Sequence, residues 1–178
     1  DVLAVTNDME IMVDNLLTLA RSEARQLTMQ IEKMCLAEAV NQVWNINQTR
    51  ESRNIITLMN AINPFIFIET DRKMFELIVR NLLSNAFEYG RDGGVVSVLA
   101  KEEGRSVTLI VENATTELTQ DDLPFIFDRF WRKDTTRTQR GHAGLGLTLV
   151  KSLSDFLGFN VRCEITESSI FSIRVAGL

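Results

Sequence analysis

The sequence predicts an α/β (α+β) two-layer sandwich, in which a mixed sheet is covered on one face by about three helices and a further helical segment precedes it. Three observations carry this expectation. Apolar residues recur at steps of three and four in well-separated stretches. Short runs rich in Val, Ile and Phe alternate with those stretches, and Asn-Pro, Asp-Gly-Gly and Glu-Gly punctuate the joins.

The elements follow in order. Residues 1 to about 25 read as a helix, because Val2, Val5, Met9, Met12, Leu16 and Leu19 alternate by three and four, with Asn7, Asp8, Asp14 and Asn15 between them. This spacing suits a coiled-coil seam, and also a helix lying on its own domain. A strand at Met29–Met34 and a helix at Leu36–Gln48 come next. Strands near Ile55–Met59 and Phe65–Glu69 flank the Asn63-Pro64 turn. Asp71 is placed to cap a long helix that Gly90 ends. Two alternating strands, Val95–Lys101 and Ser106–Glu112, bend at Glu103-Gly104. After an irregular polar segment, a helix opens behind the glycines at 141–146. Strands near Asn160–Thr166 and Ile170–Val175 complete the pattern.

Composition narrows the chemistry. A net charge of −5 argues against general nucleic-acid binding while leaving room for a local phosphate site. Cys35 and Cys163 are far apart and lack paired-ligand spacing, which suggests neither a disulfide framework nor zinc and makes a reducing cytoplasm the default. No run reaches the roughly 20 apolar residues of a membrane-spanning helix.

Three local signals point to a phosphate-bearing ligand. On the helix from Arg72 to Tyr89, Asn81, Asn85 and Glu88 form one polar stripe among apolar flanks. An amide carbonyl there suits Mg²⁺, a hard cation held mainly by phosphate and water. Gly141-His142-Ala143-Gly144-Leu145-Gly146-Leu147 precedes an amphipathic helix, so backbone can approach a phosphate at a helix N-terminus. Neither a Walker lysine nor a dinucleotide fingerprint accompanies it. Between the two, Arg129, Arg132, Lys133, Arg137 and Arg140 are interleaved with Phe125, Phe127, Phe130 and Trp131, a basic cluster in an otherwise acidic chain. Each signal alone has an ordinary structural reading: a solvated stripe, a loop of glycines, a surface loop with an aromatic anchor.

Their order is more telling. Asn81-Leu82-Leu83-Ser84-Asn85-Ala86, a hairpin, Leu123-Pro124-Phe125-Ile126-Phe127-Asp128-Arg129-Phe130-Trp131-Arg132 and Gly141-x-x-Gly144-Leu145-Gly146-Leu147 together resemble the sensor histidine kinases of bacterial two-component systems. Met12–Ala24 is similar to the end of that family's second dimerisation helix. The resemblance implies the sandwich shared with gyrase-type ATPases, with residues 1–25 as the C-terminal part of the dimerisation helix and 26–178 as the ATP-binding catalytic domain. Matched by position, it implies Asn85 as a Mg²⁺ ligand assisted by Asn81, Tyr89 beside the nucleotide, and Asn113 facing the adenine. It also implies Arg132 and Arg137 on the phosphates from a mobile lid anchored by Phe127 and Phe130. Gly141, Gly144, Leu145, Gly146 and Leu147 would line the phosphate side. The implied reaction is transfer of the γ-phosphoryl of ATP to a histidine on the dimerisation helices, for relay to a response regulator. A homodimer and a cytoplasmic domain of an inner-membrane-anchored parent are implied with it.

Three departures qualify the resemblance. Asn113-Ala114-Thr115-Thr116-Glu117 stands where the family commonly has Asp-x-Gly-x-Gly, which is expected to crowd or stiffen the base pocket and weaken nucleotide binding. Glu88 replaces a residue that is often basic. His142, the only histidine, sits in the glycine-rich segment rather than on a dimerisation helix, and is read as lid surface with the phosphoacceptor elsewhere. The competing reading is a degenerate nucleotide-site module serving as a dimerisation or docking scaffold. An ATPase clamp of the gyrase or mismatch-repair type shares the nucleotide logic, but explains neither the heptad helix nor the aromatic-basic segment.

Overall fold

The fold is described from a computed structural model, which covers residues 2–48, 56–90, 93–104, 106–115, 117–133 and 144–178, with the side chains of 2–8, 47, 48 and 88 outside the description. The described elements are α1 (Val2–Glu23), β1 (Ile31–Cys35), α2 (Leu36–Gln48), β2 (Thr57–Asn60), β3 (Phe67–Asp71), α3 (Arg72–Tyr89), β4 (Val95–Glu103), β5 (Ser106–Ala114), a 3-10 turn (Gln120–Asp122), α4 (Gly146–Leu157), β6 (Asn160–Ile165) and β7 (Ile170–Ala176). The strands form a five-stranded sheet in the order β2-β4-β5-β7-β6 and a separate two-stranded sheet, β1-β3. In the larger sheet β2 runs parallel to β4 and the remaining pairs are antiparallel, so it is mixed.

One face of this sheet is the core. Strand alternation turns Val96 and Val98, Val107, Leu109 and Val111, and Phe171, Ile173 and Val175 to the same side, where all are buried. Helix α3 meets them with Phe75, Ile78, Val79, Leu82, Leu83 and Ala86, a run of i, i+3, i+4, i+7 spacing. Leu149, Val150 and Leu153 of α4 complete the layer. Helix α2 packs on α3, where Trp44 stacks on Phe87 with ring centroids 4.7 Å apart.

Caps set the ends of the helices. Asp71 accepts from the Met74 amide at 3.0 Å and from the Gln30 amide at 2.8 Å, so one carboxylate starts α3 and ties down the approach to β1. Gly90 ends α3 in an extended conformation, not the left-handed one usual for a terminal glycine. The Phe65–Glu69 strand expectation moves two residues on. Phe65 lies in the turn after Pro64 and is 84% exposed, so its hydrophobicity misleads. The 3-10 turn was not anticipated; Asp122 closes it by accepting from both the amide and hydroxyl of Thr119.

Helix α1 docks on α4, and its predicted seam divides. Leu19 is buried in the hydrophobic core and Leu16 packs against it, whereas Met9 and Met12 are exposed along with Val13 and Leu17. The last described turn of the seam therefore lies on its own domain.

Candidate functional site

Helix α3 and the start of α4 come together at Asn81 and Gly146. The Asn81 side-chain amide donates to the Leu77 carbonyl at 2.8 Å, which fixes its orientation. Its Oδ1 then faces α4: a Cβ at Gly146 would lie 3.1 Å from this oxygen. Glycine at 146 thus matters through close approach and not through an unusual φ. Asn85, one turn further along the same helix, is half-buried, as is Tyr89.

Leu145 occupies the N-cap position of α4 and offers no capping side chain, and the first turn holds no acidic residue, so among the described residues the first-turn amides carry the positive end of the helix dipole without an anion of their own turn beside them. Leu145 is 2% exposed with its side chain in the hydrophobic core, and Leu147 packs partly against that core. The two side chains hold the start of the helix down on the core.

A tight backbone contact shapes the approach to this helix. Gly144 has φ +70°, and a Cβ there would meet the Phe130 carbonyl carbon at 2.7 Å and the Trp131 oxygen at 2.8 Å. The Phe130 amide donates to the Gly144 carbonyl at 2.9 Å, while Phe130 itself has φ +63°, an uncommon value for a residue with a side chain. Phe130 is 56% exposed, so it does not anchor the segment through its ring as expected. Buried Ile126, with Phe127 and Trp131 packed against the core, does so instead.

The basic cluster is partly consumed by the fold. Lys133 donates to both carboxylate oxygens of Asp122 at 2.8 and 2.6 Å, and Arg129 pairs with Glu23 of α1. Burial raises the affinity of Asp122 for a proton, but the Lys133 and Thr119 bonds outweigh it and hold the carboxyl below its ordinary value. Arg132 is half-buried next to this network. Arg137, Gly141 and His142 lie outside the described residues, as does the Glu88 side chain.

Asn113 ends the core-facing row of β5 and is 4% exposed. Its amide donates to the Ala114 carbonyl at 3.2 Å, leaving Oδ1 as the group with acceptor capacity. Thr115 is buried, and its hydroxyl accepts from the amides of Glu117 and Leu118 at 3.4 and 3.3 Å. A side chain organises the turn that glycines would otherwise leave free.

The chemistry of this donor set fits a magnesium-bound polyphosphate. Among the described residues no group of three or more His, Cys, Asp or Glu is arranged to hold a metal. The donors that α3 and α4 bring together are amide carbonyls beside helix amides, the kind of setting in which Mg²⁺ is carried largely by phosphate and water. Burial, with Glu164 adjacent, pushes the pKa of the Cys163 thiol up.

Sequence reading missed Ser22, Glu23 and Ser152. The Ser22 hydroxyl donates to the Ser152 carbonyl at 3.2 Å and accepts from the Ser152 hydroxyl at 2.9 Å, joining α1 to α4. The sequence around Ser22 and Glu23 is the charged run at residues 21–25, which names no partner.

Residues 70–176 match the family described as histidine kinase-, DNA gyrase B- and HSP90-like ATPase. The sensor histidine kinase CusS of Escherichia coli strain K12 is 32% identical over 144 residues, covering 80% of this chain and 30% of CusS. The chain therefore spans about a third of that relative's length. Among solved structures, full-length ShkA in complex with AMPPNP superimposes with a TM-score of 0.82 at 22% identity, over 97% of this chain and 36% of that one. The histidine kinase AdeS of Acinetobacter baumannii gives 0.76 at 20% identity, over 93% and 75%. At such identities these two structures speak to the fold, and the family assignment rests on the sequence match. The chain belongs to the histidine kinase-, DNA gyrase B- and HSP90-like ATPases, and within them it is the ATP-binding catalytic domain of a sensor histidine kinase.

Proposed function

We propose that this domain holds Mg-ATP between α3 and the N-terminus of α4 and presents the γ-phosphoryl group to a histidine on the dimerisation helices. The observation that carries the reading is Asn81 Oδ1 facing the uncapped first turn of α4 across Gly146. Asn85 and Asn81 supply amide oxygens to Mg²⁺, which neutralises phosphate charge when bound. The α4 amides at Gly146 and Leu147 bind phosphate oxygen, with Gly144 and Gly141 keeping the approach clear. Arg132 and Arg137 reach the phosphates from the aromatic-basic segment. Tyr89 borders the nucleotide, Phe127 fixes that segment to the core, and Asn113 Oδ1 accepts from the adenine amine. Catalysis is then mainly positioning and charge neutralisation.

The wider assignments rest on the same reading. Residues 1–25 are the end of a dimerisation helix, and exposed Met9, Met12 and Val13 suit a seam with a second copy of the chain. The acceptor histidine belongs to that dimerisation domain, and the phosphoryl group passes on to a response regulator. The domain works in the cytoplasm, with the parent held at the inner membrane by other segments; among the described residues no helix is long and apolar enough to cross a membrane.

Buried Asn113 and Thr115 favour a second reading, a nucleotide-poor docking scaffold. Calorimetric titration of Mg-ADP into the wild-type chain and Asn85→Ala separates the two. Saturable, Mg²⁺-dependent binding that Asn85→Ala abolishes supports the kinase, and no heat at millimolar nucleotide supports the scaffold.

A further inference from the structure

The end of α1 touches the phosphate side of the site from two directions. Glu23 pairs with Arg129, which immediately precedes Phe130, and the Phe130 amide is bonded to the carbonyl of Gly144. Gly144 in turn leads into Leu145 and the first turn of α4. One residue earlier, Ser22 is 6% exposed and exchanges hydrogen bonds with Ser152, two turns down the same helix. A cleft of about 390 Å³ is lined by Ser22, Glu23, Phe127, Thr148 and Ser152 among others. The last turn of α1, the segment around Phe130 and the start of α4 therefore share one junction.

The two contacts differ in what they restrain. The serine pair is short-armed and largely buried, so it fixes the distance between the helices. The ion pair is half-exposed at both ends, and it acts on a segment whose backbone is already strained at Phe130. Arg129 donates to the Glu23 carboxylate, which raises the guanidinium pKa above its ordinary value. The ion pair ties Arg129 to α1, and the next residue, Phe130, is bonded through its amide to the Gly144 carbonyl.

We infer that Glu23, acting through Arg129, is a positioning residue for the Phe130–Arg132 segment and the first turn of α4, so that the docking of α1 and the binding of a nucleoside triphosphate are linked. The inference rests on the nucleotide reading above for its ligand, but not for its structural half. By thermodynamic reciprocity, whatever α1 docking adds to triphosphate affinity, triphosphate returns to α1 docking. A helix that shifts at this junction would then change the phosphate side of the site while leaving the base side as it was.

The test uses the whole chain as Glu23→Gln, Arg129→Glu and the charge-swapped pair Glu23→Arg with Arg129→Glu. In the absence of nucleotide, hydrogen exchange should quicken at the amides of 130–132 and 144–148 in Glu23→Gln, with α2 and the α3 core unchanged. Unchanged exchange at those amides overturns the inference whether or not nucleotide binds. With Mg-bound, non-hydrolysable ATP analogue, Glu23→Gln should weaken binding by about threefold, the size expected of a half-exposed pair, while adenosine affinity and the unfolding midpoint hold. The swapped pair should regain most of the loss. Equal loss for analogue and adenosine would assign Glu23 a general structural role, and a selective loss without recovery in the swapped pair would make Arg129 a direct phosphate contact; either result overturns the inference. Failure of wild-type binding with altered exchange in Glu23→Gln would remove the nucleotide reading alone.

Discussion

Gly146→Ala separates what the site needs from what the fold needs. The added Cβ lies 3.1 Å from Asn81 Oδ1 and at ordinary or no contact with other groups, so one neighbour decides the outcome. Asn81 cannot swing away freely, because its amide is committed to the Leu77 carbonyl at 2.8 Å. Straining or losing that bond costs about 0.5–1.5 kcal/mol. Against this, alanine is favoured over glycine within a helix by up to about 1 kcal/mol, less in the first turn. The two effects nearly cancel, and the unfolding free energy should change by no more than about 1 kcal/mol. Binding has no such offset. The methyl group occupies the space between the Asn81 oxygen and the first-turn amides, and loss of one hydrogen bond to a charged phosphate is worth about 1.5–3 kcal/mol. Nucleotide affinity should therefore fall at least about tenfold. Urea unfolding paired with calorimetric titration of Mg-ADP reads both quantities on one sample. Wild-type affinity in Gly146→Ala would refute the assignment of this gap to phosphate. A loss of affinity matched by several kcal/mol of destabilisation would show that the glycine serves packing.

The neighbouring glycine should behave in the opposite way. Gly144→Ala meets left-handed strain at φ +70° and backbone atoms at 2.7 and 2.8 Å that cannot rotate aside. A stability loss of about 2–4 kcal/mol is expected on urea unfolding, and a cost under about 1 kcal/mol would contradict the tight contact. Asp122 should give stability a pH dependence. Its folded-state carboxyl is held below the ordinary 3.8, so its contribution is complete above that value and is lost as pH falls through the depressed one. Asp122→Asn, which keeps an acceptor for Thr119 but no charge for Lys133, should flatten this acid limb in unfolding titrations. An unchanged limb would place the titration elsewhere.

How far the sequence discloses the site depends on how local its physics is. Helix α2 has the expected bounds, and α3 runs from Asp71 to Gly90 as its cap and its apolar spacing require, because both signals lie within a few residues of each other. The stripe of Asn81 and Asn85 is legible as a pattern for the same reason, since both lie on one helix whose other residues are largely apolar. The separate β1-β3 sheet is not legible. Periodicity marks each strand without saying which partner it takes, and here Cys35 pairs with Phe67 across a helix and another strand.

The same limit explains why α1 reads as a seam and behaves as two surfaces. A heptad pattern states that one stripe of a helix will be covered, and it is indifferent to whether a second copy or the chain's own domain covers it. The cover changes along α1. Around Met9 and Met12 the stripe is exposed, while at Leu16 and Leu19 it meets the core that α4 helps to form. One helix thus carries an exposed stripe and a covered one in series, and with the proposed dimer seam on the first, a rotation favoured there would have to be accommodated by the second. Ser22 and Glu23 lie at the end of the second interface, where such a rotation would be felt first by Ser152 and Arg129. The residues most exposed to that conflict are those whose partners lie more than a hundred positions away in the chain, which is why composition and spacing give no sign of them.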